Sequence, residues 1–275
     1  MAQHESVDGL IIRVKDMGDH DRYLTVLTAA HGRMTLLAKG ARGLKSAQVP
    51  ISQLYTYANF EYYKRGDFRI LKGGNPIEPF YGLSEDLDRL NLAAYFCEVA
   101  YELSDEGEAA ADLLRLLLNS LHAVSRNLYS QEQIKGAFEL RAAALSGYAP
   151  DLFGCRVCKR VQSDLFYLDV MNGSLICPEC LSRAGGNLKK GEYADELREA
   201  EILSRLSAAA AAALRYCLGA PLNRLFAFEL SESEDLQAFA KSAETYLLSH
   251  IGHGFESLRF YRELRGELPH KKEGN

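Results

Sequence analysis

Apolar and polar positions alternate with a period of two through the first 80 residues, and a period near 3.6 governs most of the remainder. Leu10, Ile12 and Val14 alternate with Ile11, Arg13 and Lys15, and Met17–Asp21 then reads as a turn. Further β-favouring runs follow at Tyr23–Thr28, Met34–Lys39, Tyr55–Tyr63 and Phe68–Lys72, with His31-Gly32-Arg33 and Arg65-Gly66-Asp67 as punctuation. Five short segments joined by glycine-centred turns predict a small antiparallel barrel or sandwich.

Gly73-Gly74-Asn75-Pro76 and Pro79 end that pattern. Ser84, followed by acidic residues, predicts a capped helix start and a helix running through Leu87, Leu90, Ala94 and Cys97 to about Leu103. Ala109–His122 predicts a second helix, with Leu113, Leu114, Leu117, Leu121 and Val124 on one stripe. Gln131–Leu145 predicts a third, burying Ile134, Phe138, Leu140 and Ala144, and Tyr193–Leu218 and Leu236–Ile251 predict two more. The alanine run at 208–213 reads as the middle of a closely packed helix. The expected divisions are a barrel over 1–80, helical parts over 81–150 and 186–265, a cysteine module over 151–185, and a polar tail over 266–275.

The cysteines add chemistry. Cys155-Arg156-Val157-Cys158 is followed, after eighteen residues, by Cys177-Pro178-Glu179-Cys180. This is the spacing of a four-cysteine zinc ribbon. Leu165–Val170, a turn at Met171-Asn172-Gly173-Ser174 and Leu175-Ile176 form a predicted hairpin that would bring the pairs together. Four thiolates complete a tetrahedral shell, so the site is expected to hold one structural Zn²⁺. The competing reading is one or two redox-active Cys-x-x-Cys pairs. Cys97 and Cys217 lie in apolar helical patterns and read as core.

Charge is unevenly distributed. Residues 1–80 hold 11 basic and 8 acidic residues, a net of +3, while the remainder holds 21 and 29, a net of −8. Arg33, Lys39, Arg42 and Lys45 fall within thirteen residues free of Asp and Glu, and Lys64, Arg65, Arg69 and Lys72 decorate a later hairpin. Cations beside aromatic faces suit single-stranded nucleic acid, and five-stranded OB barrels supply such grooves. Tyr57, Asn59, Glu61 and Tyr63 share one face of their strand, and Ala58, Phe60 and Tyr62 the other; both carry aromatics, so the pattern leaves open which points out. An ordinary fluctuation in surface charge is the plain alternative.

No phosphate-binding glycine loop, dinucleotide fingerprint, H-E-x-x-H or G-x-S-x-G occurs, so the expectation is a binder, not an enzyme. No secretory leader or membrane-length apolar run is evident, and a cytoplasmic location is expected.

Val14-Lys15-Asp16-Met17-Gly18-Asp19-His20-Asp21-Arg22, His31-Gly32-Arg33 and Leu37-Ala38-Lys39-Gly40-Ala41-Arg42 resemble the OB-fold signature of the RecO family of bacterial recombination mediators. Phe138-Glu139-Leu140-Arg141 and Leu145-Ser146-Gly147-Tyr148-Ala149-Pro150 resemble its helical-domain signature, and the cysteine pairs follow where many members carry zinc. Ala142-Ala143-Ala144 departs from the bulkier apolar residues common there. The resemblance implies a multi-domain α+β chain: an OB barrel, then a mostly helical domain with an inserted four-cysteine zinc module. It also implies binding of single- and double-stranded DNA, strand annealing, partnership with RecR, and help for RecA to load onto DNA coated by single-strand binding protein. Lys39 and Arg42, with Arg33, Lys45 and Arg65 as further candidates, are the expected DNA contacts; Arg141 is the candidate for that protein's acidic C-terminal tail. An RNA-binding role in translation or transcription and a scaffold without nucleic acid are the rival readings.

Overall fold

The computed structural model describes residues 4–43, 46–186 and 202–267. Two compact units emerge from the packing: one holds the described residues up to Leu128 and from Phe255 onward, the other Tyr129–Gly254. The boundaries differ from the expected divisions at 80 and 150, because the first two helices and the last one pack in the same unit as the barrel.

Strands β1 (His4–Met17), β2 (Asp21–Thr28), β3 (Gly32–Ala38), β4 (Tyr57–Arg65) and β5 (Phe68–Glu78) close a barrel in the order β1-β2-β3-β5-β4. All neighbours are antiparallel except β3 and β5, which run parallel through Leu37↔Ile70. A register shift between Ile11 and Arg13 bends β1, letting it serve both β2 and β4. Strict alternation therefore fails there, and Leu10, Ile11 and Ile12 are all buried. Ile11, Leu24, Val26, Met34, Leu36, Ala58, Phe60, Tyr62 and Leu71 fill the interior. The ambiguous aromatic strand is thereby oriented, with Ala58, Phe60 and Tyr62 inward and Glu61 exposed.

Helix α1 (Leu87–Glu102) is capped by Asp86, whose carboxylate accepts from the Arg89 N–H; Ser84 belongs instead to a 3₁₀ turn over Tyr81–Glu85. Helix α2 (Ala111–Ser125) and α1 both pack on β1, and the outward cross-strand pair Leu10↔Leu27 is fully buried. A short helix α7 (Glu256–Leu264), whose range is fixed near the end of the described chain, returns to pack on α1.

In the second unit, α3 (Gln131–Leu145) occupies its expected span, capped by Ser130. Strands β6 (Asp151–Cys155), β7 (Leu165–Asp169), β8 (Ser174–Ile176) and β9 (Leu203–Ser207) form a sheet in the order β6-β8-β7-β9, with α4 (Pro178–Gly186) after β8. The single helix expected over Tyr193–Leu218 is corrected: Leu203–Ser207 is a strand, α5 runs Ala208–Gly219, and 193–201 lies outside the described residues. Ser207 caps α5, so the alanine run opens that helix instead of filling its middle. Helix α6 (Ser233–Ile251) packs on α3, α5 and β9. Between α3 and α6, the Lys135 ammonium lies 2.9 Å from Glu139 and 2.6 Å from Glu244, all three buried.

Candidate nucleic-acid interface and metal centre

Barrel closure turns every second residue outward. The strand registers align one outward row across the sheet: Lys15 opposite Tyr23, Tyr23 opposite Leu37, Leu37 opposite Ile70, and Ile70 opposite Tyr63. Leu37 and Ile70 are buried, while Lys15 is exposed and both tyrosines are partly so. One pleat beyond Leu37 and Ile70 come Lys39 and Lys72, both exposed. One pleat to the other side stands Phe68, 54% exposed. The row thus places a partly exposed tyrosine on either side of two buried aliphatic residues, with exposed lysines beside it. Lys72 is among the cations expected on the later hairpin, whereas the alignment of Lys15 and Tyr23 with it depends on register between distant strands.

The expected DNA contacts divide by place. Lys39 and Arg42 belong to the loop after β3, pinned to the β1–β2 turn: the Gly40 N–H donates to Asp21 (2.8 Å), and the Arg42 guanidinium donates to the Gly18 carbonyl (2.6 Å). Asp16 also takes Arg22 at 2.9 Å and Arg42 at 3.4 Å. Arg65 is exposed at the β4–β5 tip, opposite Phe68. Arg33 is set apart from this loop. Its guanidinium lies 4.1 Å from the Tyr101 ring centre and 3.5 Å from the Asp105 carboxylate. Lys45 lies outside the described residues. In the second unit, Arg141 is half-buried and donates to the Ala220 carbonyl at the α5 C-cap, so it already serves a helix end. His250 likewise ends α6, its ring nitrogen 2.8 Å from the Tyr246 carbonyl.

The four module cysteines converge, with all four sulfurs within 4.8 Å of one another. Cys158 and Cys177 Sγ atoms are 3.7 Å apart, and the Cys177 N–H points at Cys155 Sγ across 3.4 Å. The first pair sits on a tight knuckle: the Cys155 N–H donates to the Arg160 carbonyl, and Lys159 takes a left-handed backbone (φ 61°). The second pair sits differently from the first: Pro178 opens α4 directly after Cys177, and the helix carries Cys180. Val170–Gly173 turns the hairpin between them; Gly173 adopts φ 58°, and Asp169 accepts from the Asn172 N–H at 3.1 Å. Ion pairs brace the knuckle, Arg156 to buried Asp169 at 2.9 Å and Arg160 to Glu179 at 2.6 Å.

Burial opposes ionisation of Cys155, yet N–H donors from Cys158, Cys177 and Val157 outweigh it and bring the thiol to about 6. Burial, reinforced by neighbouring sulfurs, pushes Cys177 upward and Cys180 to about 12. Four adjacent sulfurs cannot all carry charge without a counter-ion, and a cation among them removes the conflict. The donor set could hold one metal ion. Cys97 and Cys217 are buried away from it, as expected for core residues.

Comparison with known proteins gives the geometry a context. The profile described as Recombination protein O N terminal matches residues 1–80, and Recombination protein O C terminal matches 84–193. A protein named DNA repair protein RecO in Acetivibrio thermocellus is 32% identical over 256 residues, covering 93% of this chain and 95% of that relative. The chain belongs to the RecO family. A RecO protein of Streptomyces coelicolor is 27% identical over 261 residues, covering 92% of this chain and 96% of its own length. One from Alkaliphilus metalliredigens is 33% identical over 173 residues, 63% of this chain and 70% of the relative. The first profile ends where β5 leaves the barrel, and the second runs through all four cysteines. The function is therefore in DNA repair. Among the described residues, no helix is long and apolar enough to cross a membrane.

Proposed function

We propose that the chain is a non-enzymatic mediator of recombinational DNA repair, acting in the cytoplasm. It binds single- and double-stranded DNA on the outward face of its barrel and anneals complementary strands. With RecR it helps RecA load onto DNA coated by single-strand binding protein, whose acidic tail is a further partner, with Arg141 as the candidate contact. The supporting observation is the cross-strand row from Lys15 to Tyr63 bordered by Lys39 and Lys72. Tyrosine faces offer stacking worth about 1–3 kcal/mol per base, while lysines and Arg42, Lys45 and Arg65 meet phosphates.

Zinc is the ion that the four cysteines suit best. Tetrahedral sulfurs about 2.3 Å from zinc lie roughly 3.8 Å apart, close to the 3.7 Å between Cys158 and Cys177. Cys155, Cys158, Cys177 and Cys180 would hold it, leaving no ligand position for a substrate.

A salt series on a single-stranded oligonucleotide tests the reading. Four phosphate contacts give a log–log slope of about −3, and Lys39→Ala with Lys72→Ala is expected to flatten it by about 1.4. A flat wild-type slope would favour a scaffold, and preference for RNA over a matched DNA strand would favour the RNA-binding rival. Strand annealing with and without single-strand binding protein tests the mediator role itself.

A further inference from the structure

The turn between α1 and α2 carries Asp105, Glu106 and Glu108, all exposed, and it is laid across the start of β3. Three backbone bonds dock it: Arg33 N–H to the Asp105 carbonyl (3.1 Å), Gly107 N–H to His31 (2.9 Å) and Ala110 N–H to Ala29 (2.9 Å). Gly32 makes the approach possible, since a Cβ there would lie 2.0 Å from the Asp105 carbonyl oxygen on a backbone already at φ 56°. From this position Asp105 reaches Arg33 at 3.5 Å and Glu106 reaches Arg69 at 3.3 Å.

Those cations adjoin the proposed nucleic-acid face. Arg33 lies two pleats from Leu37 on the outward side of β3, Arg13 lies one pleat from Lys15 on β1, and both guanidinium groups overlie Tyr101. Arg69 follows exposed Phe68 on β5, lies opposite Lys64 in register and close enough to Tyr62 for its charge to oppose the upward push of burial on that pKa, while Lys64 pairs with Glu5 at 2.9 Å. The carboxylates add little to docking. Their side chains are 74% and 63% exposed, and ion pairs so exposed contribute little to stability, whereas the backbone bonds and the close fit at Gly32 already fix the turn. Two negative charges on the border of a polyanion site act instead on the ligand.

We propose that the Asp105–Glu108 turn is a built-in competitor for phosphate: Asp105 and Glu106 occupy Arg33 and Arg69, keep these cations from the bound strand and so mark the end of its footprint. Neutralising the two carboxylates releases two cations to the ligand. The inference rests on the DNA-binding reading above.

The test measures oligonucleotide binding by wild type, by the double variant Asp105→Asn with Glu106→Gln, and by Lys39→Ala with Lys72→Ala, across a salt series. The acid-neutralised protein is expected to bind on the order of tenfold tighter at low salt, with a slope steeper by about 1.4. Each single variant keeps one ion pair and is expected to show about half that change in slope, which decides the matter should the double variant fail to fold. Unchanged or weaker binding by folded variants, with wild type still sensitive to the lysine substitutions, overturns the competitor alone. Absence of binding by every protein, wild type included, overturns the DNA-binding reading and the competitor with it.

Discussion

Cys155→Ser or Cys177→Ser is expected to lower bound metal from about one ion per chain to near zero and to unfold the segment around β6, β7 and β8. Both cysteines are fully buried, so the substitution cannot be bypassed by a neighbouring solvent ligand. Apparent binding energies of structural zinc in small peptides are about 10–16 kcal/mol, of the same order as burying the core side chains Leu152, Phe166, Leu168, Val170, Leu175 and Ile176 of this segment, so loss of the metal removes a large share of what holds it. Metal release by a thiol reagent, followed in a zinc-sensitive dye, gives the stoichiometry; limited proteolysis before and after chelation reports the unfolding. Native protein that contains no metal, or a serine variant with unaltered protease resistance, would remove the metal from the account. Cys158, the exposed ligand, is expected to react first when the reagent is limiting.

The second large effect is expected at Lys135. Lys135→Ala leaves Glu139, fully buried, beside Glu244 with their shared cation gone. Removing one partner from a buried ion cluster costs about 3–5 kcal/mol, because the remaining charges stay desolvated. Urea unfolding of the whole chain should show the second unit melting early. Adding Glu139→Gln and Glu244→Gln to Lys135→Met should restore a large part of the loss, since the two buried carboxylates that Lys135 bridged are then neutral. A single-variant cost below about 1 kcal/mol would mean that water reaches the cluster and the triad does not hold α3 to α6.

Features whose determinants lie close in sequence are legible from the residues alone. The cysteine spacing, the Asn172-Gly173 turn and the span of α3 each depend on neighbours within a few residues or on a simple hairpin, and all three appear as expected. Strand β9 is not legible locally because Leu203 and Leu206, three residues apart, match a helical spacing, and the alanine run beside them is strongly helical. What makes it a strand is a partner, β7, some forty residues earlier. The same limit applies to the barrel. Its strands were legible, but the inward face of β4 was not, because aromatics occupy both faces. Arg33 looked like a free cation since its acidic partner comes from the α1–α2 turn, more than seventy residues away.

The position of β9 also bears on how this protein could be re-engineered. The sheet that carries the cysteines takes its edge strand from residues 203–207, and that strand runs straight into the cap of α5 at Ser207. Excising 151–186 as a self-contained cassette would therefore strand β9 without a mate and unseat the first turn of the next helix. A transplant that is meant to keep the metal knuckle intact has to carry the later segment with it.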